Sequence, residues 1–382
     1  MRWRFPHVGE DAARQQVTGR IDAWWREFVA AAPRLDDYFR GGGRWDLAGW
    51  MREHLGVVDE RIMWEFGPAT RGAQGQRLVL TPEDEHRLRP LVDVVLARAP
   101  KVAGWEFHSH RLAEDLNQAL LAVAERTSMD FSGWQAWADL TDEGLIDVVL
   151  SPPFALADRE EARAAALLLV EALVGEELMD VWIGDVEIAS HSGSAPLGDL
   201  APVVRALVEA QRARLPKLPY WRRTSEGSWT LLRLAPRTGV PDFPGQQDML
   251  IAKTMDLDLW KALHGRRPFH SRRYSRSGEV MATLKIDGGG VTDDGLTDKA
   301  AIEEVIAQTI EPLKLGGQIG GGTGLRYSYI DLALTNVEAA MDVLTPVLRE
   351  QRLPWRTWLL FFDADLGDEW IPLWDDSPPP PR

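Results

Sequence analysis

LGGQIGGGTGLRYSYIDLALT, residues 315–335, sets a cluster of glycines before an alternating run that carries two tyrosines. The glycines either cradle a phosphate or let the chain turn. A phosphate loop needs its glycines between a strand and a helix, so that backbone N–H groups and the positive helix end face the anion. Here the residues after Gly324 alternate as a strand, and no Lys-Ser or Lys-Thr follows. The spacing therefore predicts a hairpin turn, where a positive φ is cheap for glycine. In the strand behind it, period two puts Ile330, Leu332 and Leu334 on one face and Tyr327, Tyr329 and Asp331 on the other.

The neighbouring segments extend this reading. EVMATLKI (279–286) is strand-like, and DKAAIEEVIAQTI (298–310) is helical, with Thr297 as its cap and Pro312 as its stop. Thr335 and Glu338 have capping-box spacing. The helix they open lines Val337, Ala340, Met341, Leu344, Val347 and Leu348 along one face. RTWLLFFD (356–363) closes the series as a strand that is apolar on both faces, which predicts cover on both sides by another domain or subunit. The order is βαββαβ, the split motif of ferredoxin-like domains.

The first half reads as a related α+β domain with a helical start. A helix is expected over 14–32, ending before Pro33, and another over 44–55. Thr81-Pro82-Glu83-Asp84 reads as a helix start, with Pro90 kinking the helix behind it. Residues 158–174 form the clearest helix, with Asp158 at its head. RLVLTPEDEHRL echoes DLALTNVEAAMD in outline, which suggests two related domains. The Ser/Gly/Pro-rich stretch 190–202 marks the boundary. The expected division is an α+β domain over 1–192, a ferredoxin-like domain with an N-terminal extension over 193–375, and a disordered tail, 376–382.

Composition narrows the function. A net charge of −15 repels nucleic acid and anionic membranes at long range, so such binding needs a local basic patch. No apolar run is long enough for a spanning helix, and residues 1–16 lack a secretory apolar core; a cytoplasmic protein is expected. The absence of cysteine excludes disulfides, thiolate metal sites and cysteine nucleophiles. The 17 tryptophans, against 11 Phe and 5 Tyr, read first as large core fillers and second as interface anchors.

Three constellations carry candidate chemistry. The basic segment KALHGRRPFHSRRYSR (261–276) holds Arg266, Arg267, Arg272, Arg273 and Arg276 with Tyr274 interleaved, and suits phosphate or nucleic acid. Tyr327 and Tyr329 share a strand face, as base-stacking rings do in RNA-recognition motifs, although Ser328 replaces the usual glycine. Glu106, His108 and His110 fall at i, i+2 and i+4 in EFHSH, a spacing that can hold a divalent metal on one strand face. DADLGDEW (363–370) starts like a calcium loop but lacks its glycine and its final glutamate. No GxSxG, HExxH or GxxxxGK[ST] motif occurs.

The runs WEFGPATRG (64–72), RLVLTPEDEHRLRPLV (77–92) and GWEFHSHR (104–111), with GGGTGLRYSYIDL (320–332) as a second stretch, resemble an uncharacterised bacterial family. Its domains look related to ferredoxin-like modules of ribonuclease-regulator and toxin-immunity-type proteins. The resemblance carries no catalytic motif and implies a non-enzymatic, regulatory role. The expectation is a protein-binding module without a cofactor, whose partner is another protein or a second copy. Nucleic-acid binding and a metal-assisted enzyme stand as the alternatives.

Overall fold

The computed structural model describes residues 1–70, 75–154, 159–223, 228–237, 239–288 and 299–381. Asp158 and Thr297, the two expected helix heads, lie outside them. The chain is mixed α and β and divides into two compact units. Unit 1 comprises Met1 and Pro6–Ala213; unit 2 comprises Arg2–Phe5 and Arg214–Arg382.

Unit 1 opens with helices α1 (Asp11–Phe39) and α2 (Leu47–His54). The α1 helix runs through Pro33 instead of stopping before it. Its Trp24, Trp25 and Phe28 are buried, and Phe28 meets Trp105 edge-on at 4.9 Å. Next come β1 (Met63–Pro68), β2 (Gln76–Thr81), α3 (Arg89–Ala97) and β3 (Trp105–His108). Thr81 ends a strand and opens no helix; Pro90 sits in the first turn of α3, where its missing N–H breaks no hydrogen bond. The strands form a sheet of order β1-β2-β3 with β2 and β3 parallel.

A second sheet, β6-β5-β4-β7, follows from β4 (Gln135–Leu140), β5 (Ile146–Ser151), β6 (Ile183–Ile188) and β7 (Ala195–Pro196). Helices α4 (Leu116–Thr127), α5 (Arg159–Val174), α6 (Glu176–Trp182) and α7 (Leu200–Arg214) accompany it. Leu200, Val204 and Val208 of α7 join the same core as Ile146 and Val148. This packing carries unit 1 past the Ser/Gly/Pro-rich stretch to Ala213.

Unit 2 holds α8 (Tyr220–Arg223), β8 (Thr230–Arg233), β9 (Met249–Thr254), α9 (Leu257–Leu263), β10 (Val280–Asp287), α10 (Lys299–Ile310) and β11 (Gly316–Gly324). It ends with β12 (Tyr327–Leu334), α11 (Val337–Glu350), β13 (Thr357–Phe361) and β14 (Trp370–Pro372). Seven strands take the order β14-β13-β10-β12-β11-β9-β8, with every neighbour antiparallel. On one face, Leu284, Ile330, Leu332 and Leu359 pack with Ile302 and Ile306 of α10 and with Met341 and Leu344 of α11. The cap of α11 is Asn336, whose side chain accepts from Ala339 N–H at 3.0 Å; Thr335 instead donates to the carbonyl of Lys314.

The glycine cluster is not a turn. Its residues are the strand β11 itself, held between β12 and β9. The turn proper is Leu325-Arg326. Glycine is required because backbone crowds the strand. A Cβ on Gly321 would lie 2.3 Å from the Tyr329 carbonyl oxygen, and one on Gly322 would lie 2.4 Å from that of Ile251.

The other face of the sheet is covered from within unit 2. Tyr220, Leu259 and Phe269 pack on Met281, Ile319 and Ala333. Residues 242–248 cross the rest of the face. The cover expected from another domain or subunit is thus the unit's own extension. Residues 376–381 also lie against the sheet, with Trp358 Nε1–H donating to the Pro378 carbonyl at 2.7 Å.

Candidate functional site

Tyr327 and Tyr329 point into the covered face and are fully buried. They pack with Met249, Ala252, Trp358 and Trp370, so neither ring presents a face to a base. Between them sits Lys285, also fully buried. Its Nζ donates to the carbonyls of Phe243 at 2.6 Å and Gly245 at 2.9 Å, and lies 4.1 Å from the Tyr327 ring centroid. Lys285 thereby ties the 242–248 strap to the sheet. Asp248, at the end of the strap, accepts from the amides of Arg326 and Tyr327 at 2.8 Å each and from the Tyr329 hydroxyl.

Asp331, whose face was legible as that of the tyrosines, is buried beside Thr283. Gln246 Nε2–H donates to both, at 2.7 Å to Asp331 and 2.9 Å to Thr283. Burial pushes the Asp331 carboxyl up, against the opposing pull of Thr283, His264, Gln246 and Lys299. At the sheet end, Arg326 and Arg356 both pair with Asp242 and Asp287. The sequence signal for this network was weak: single charged residues inside otherwise apolar strands, with partners far along the chain.

Burial pulls the Lys285 ammonium down to about 8, although Asp248 and Asp242 favour its charge. A folded state that holds fewer protons than the unfolded one gains stability as pH rises through that interval. The desolvation penalty is therefore fully present below pH 8 and is relieved towards the ordinary lysine value. Burial raises Tyr327 to about 12 and Tyr329 further, which subtracts stability only above pH 10. Relative to Lys285→Met, the wild-type chain is expected to gain about 2 kcal/mol of unfolding free energy between pH 8 and 10, read by urea titrations across that range. Parallel pH profiles for the two proteins would contradict this assignment.

The basic segment divides in two. Phe269 and Tyr274 stack at 5.2 Å within the cover, and buried Arg273 donates to the Pro268 carbonyl at 3.0 Å. Arg272 is half-buried, whereas Arg266, Arg267 and Arg276 are exposed. The segment is thus in part a structural lid on the sheet.

Glu106 and His108 do meet, with Nε2 3.3 Å from the carboxylate, but Glu106 also accepts from Thr70 N–H and Oγ1–H at 3.0 and 2.8 Å. His110 lies beyond the end of β3, its Nδ1 3.0 Å from the Ser109 hydroxyl. Among the described residues, no group of three or more His, Asp or Glu side chains is placed to hold a metal ion.

Unit 1 contains an ion-pair cluster that the sequence did not reveal. Arg111 pairs with Glu83, with Glu171 at 2.9 Å and with Glu65 at 3.4 Å. Arg77 pairs with Glu114 at 3.0 Å, and Arg89 with Glu176 at 2.9 Å. Burial raises the Glu171 carboxyl despite Arg111. Burial also works to raise Glu176, but Thr81, the Arg111 amide and Arg89 outweigh it and hold it low. Glu65, Arg111, Glu114 and Glu171 help line a cavity of about 30 Å³, room for a water molecule. The pairs tie Arg89 of α3 to Glu176 of α6 and Arg111 to Glu171 of α5, as a structural clamp does.

The two ends of the seven-stranded sheet contrast. At β14, Arg2 donates to the Trp370 carbonyl at 3.1 Å and lies 3.7 Å over its ring. Trp3 and Phe5 N–H groups donate to Glu369 at 2.6 and 2.9 Å, and Phe5 stacks on Phe361 at 4.7 Å. At β8, no further strand pairs among the described residues. Leu231 is 73% exposed, Ile251 of the adjoining strand 53% and Trp229 39%. The β8–β9 register puts Leu231 and Arg233 on the same sheet face as Lys253 and Ile251, and Lys253 Nζ lies 5.1 Å from the ring centroid of Trp229, just before β8. Among the described residues no helix is long and apolar enough to cross a membrane. Comparison of the chain with protein-family models, with curated proteins and with solved structures returns no match.

Proposed function

We propose that the chain is a non-enzymatic protein-binding protein of regulatory or immunity type, which binds by adding an extended strand of its partner to β8. The observation that carries this reading is the contrast between the sheet edges. An exposed edge strand is a template for pairing, and proteins ordinarily blunt it. Here Arg2 takes up the Trp370 carbonyl of β14 and Glu369 holds the amides of Trp3 and Phe5, while among the described residues no further strand pairs with β8, beside exposed leucine, isoleucine and tryptophan. Main-chain hydrogen bonds supply affinity in strand addition, and alternate side chains supply specificity. We also read β10-α10-β11-β12-α11-β13 as a ferredoxin-like core, extended by β14 on one side and by β9 and β8 on the other. The sheet order β13-β10-β12-β11, with both helices on one face, supports that reading.

The test is capture of partners from host lysate by tagged wild-type chain and by Leu231→Glu, with and without nuclease. The expected result is a stoichiometric protein, a second copy or another chain, that survives nuclease and is lost with Leu231→Glu. A partner retained by that variant, or none at all, would contradict the reading. RNA lost on nuclease treatment would move the function to Arg266, Arg267 and Arg276.

A further inference from the structure

We infer that the strand added to β8 is β8 of a second copy of this chain, paired antiparallel about a two-fold axis through Leu231. The inference rests on the protein-binding reading of the same edge and names the occupant.

The backbone fixes which residues can pair. Leu234 N–H donates to the Leu250 carbonyl at 2.8 Å, which continues the ladder in which Leu232 faces Ala252 and Thr230 faces Thr254. In an antiparallel pair, hydrogen-bonding direction alternates along the strand. Residues 230, 232 and 234 therefore turn their N–H and C=O groups towards β9. Leu231 and Arg233 turn theirs outward, to the open edge, and Trp229 precedes the strand.

The side chains are self-complementary in one register. With the two-fold at Leu231, that residue lies opposite its own copy and exchanges two main-chain hydrogen bonds with it. Arg233 then lies opposite Trp229 of the other copy, and the reverse pair forms by symmetry. A guanidinium against an indole is a favourable cross-strand partner. Arg233 is exposed on β8. On the same face the two copies of Leu231 meet, each beside its own Lys253, with Ile251 diagonal to it. A two-fold at Leu232 instead sets Arg233 against Leu231 and leaves Trp229 with only the Lys253 ammonium of its own chain, 5.1 Å from the ring centroid. Isologous pairing of this kind closes after two copies, so the edge is used up and no fibre grows.

The chain contains no cysteine, so single engineered thiols report the register directly. Opposed Cα atoms in a hydrogen-bonded antiparallel pair are about 5.5 Å apart, within the disulfide range of roughly 4.4–6.8 Å. Leu231→Cys is expected to give a covalent dimer under mild oxidation. Trp229→Cys and Arg233→Cys are each expected to form no disulfide-linked dimer alone and to cross-link when mixed. Light scattering is expected to give twice the chain mass for wild type and the single mass for Leu231→Glu, with matching circular dichroism. A monomeric wild type, or Trp229→Cys cross-linking to itself as readily as Leu231→Cys, would overturn the inference. If the chain is monomeric yet captures another protein through Leu231, the inference falls and the protein-binding reading stands. If neither occurs, both fall.

Discussion

Asp248→Ala is expected to be among the most destabilising single substitutions in unit 2, lowering its unfolding free energy by about 3–4 kcal/mol. The carboxylate is fully buried and accepts from the amides of Arg326 and Tyr327 and from the Tyr329 hydroxyl. These groups lie at the β11–β12 turn and the first residues of β12. Alanine would leave three donors without acceptors, two of them buried and the Arg326 amide partly so, each buried one worth roughly 1–3 kcal/mol. Relief from burying a carboxylate offsets part of that loss. Asp248→Asn keeps one oxygen for the two amides and can donate to the tyrosine hydroxyl, so it should recover about half of the loss. Calorimetry can measure both variants, with the unit 2 transition identified by amide exchange in β10 and β12. A loss under about 1 kcal/mol for the alanine variant would show that water or strap movement replaces the carboxylate.

Gly321→Ala should cost about 3 kcal/mol for a different reason. Gly321 has φ +142, a conformation that side chains rarely adopt, and its strand lies between two others. A methyl group there would meet the Tyr329 carbonyl oxygen at 2.3 Å, and a paired backbone cannot yield without breaking its ladder. Gly278→Ala is the control for strain alone, because its φ is +72 and nothing lies within 4 Å of a Cβ there. It should lose only about 1 kcal/mol. Equal losses at the two sites would remove the crowding argument.

The regular parts of the fold were legible because local pattern decides them. The α11 stripe from Val337 to Leu348 is buried as period 3.6 requires, except that Val347 is half-buried. Ile330, Leu332 and Leu334 face α10 and α11 as period two requires. The glycine strand was misread because glycine serves a turn and a crowded strand equally well. What distinguishes them is the backbone of β9 and β12, and the pairing with β9 was invisible locally. The same reason hid the strap. Lys285, Gln246 and Asp248 are separated from their partners by long stretches of chain, so no spacing rule joins them. The place of β8 at a sheet edge likewise follows only from the full strand order.

The central claim is that an added strand covers β8, and amide exchange of Leu231 and Arg233 measures it most directly. Their N–H groups face away from β9, so in an uncovered chain they exchange at the rate of free amides. The account predicts slow exchange when the edge is occupied, with protection that fades on dilution and is absent in Leu231→Glu. Free-amide rates for both residues at every concentration, and with captured partner present, would contradict it.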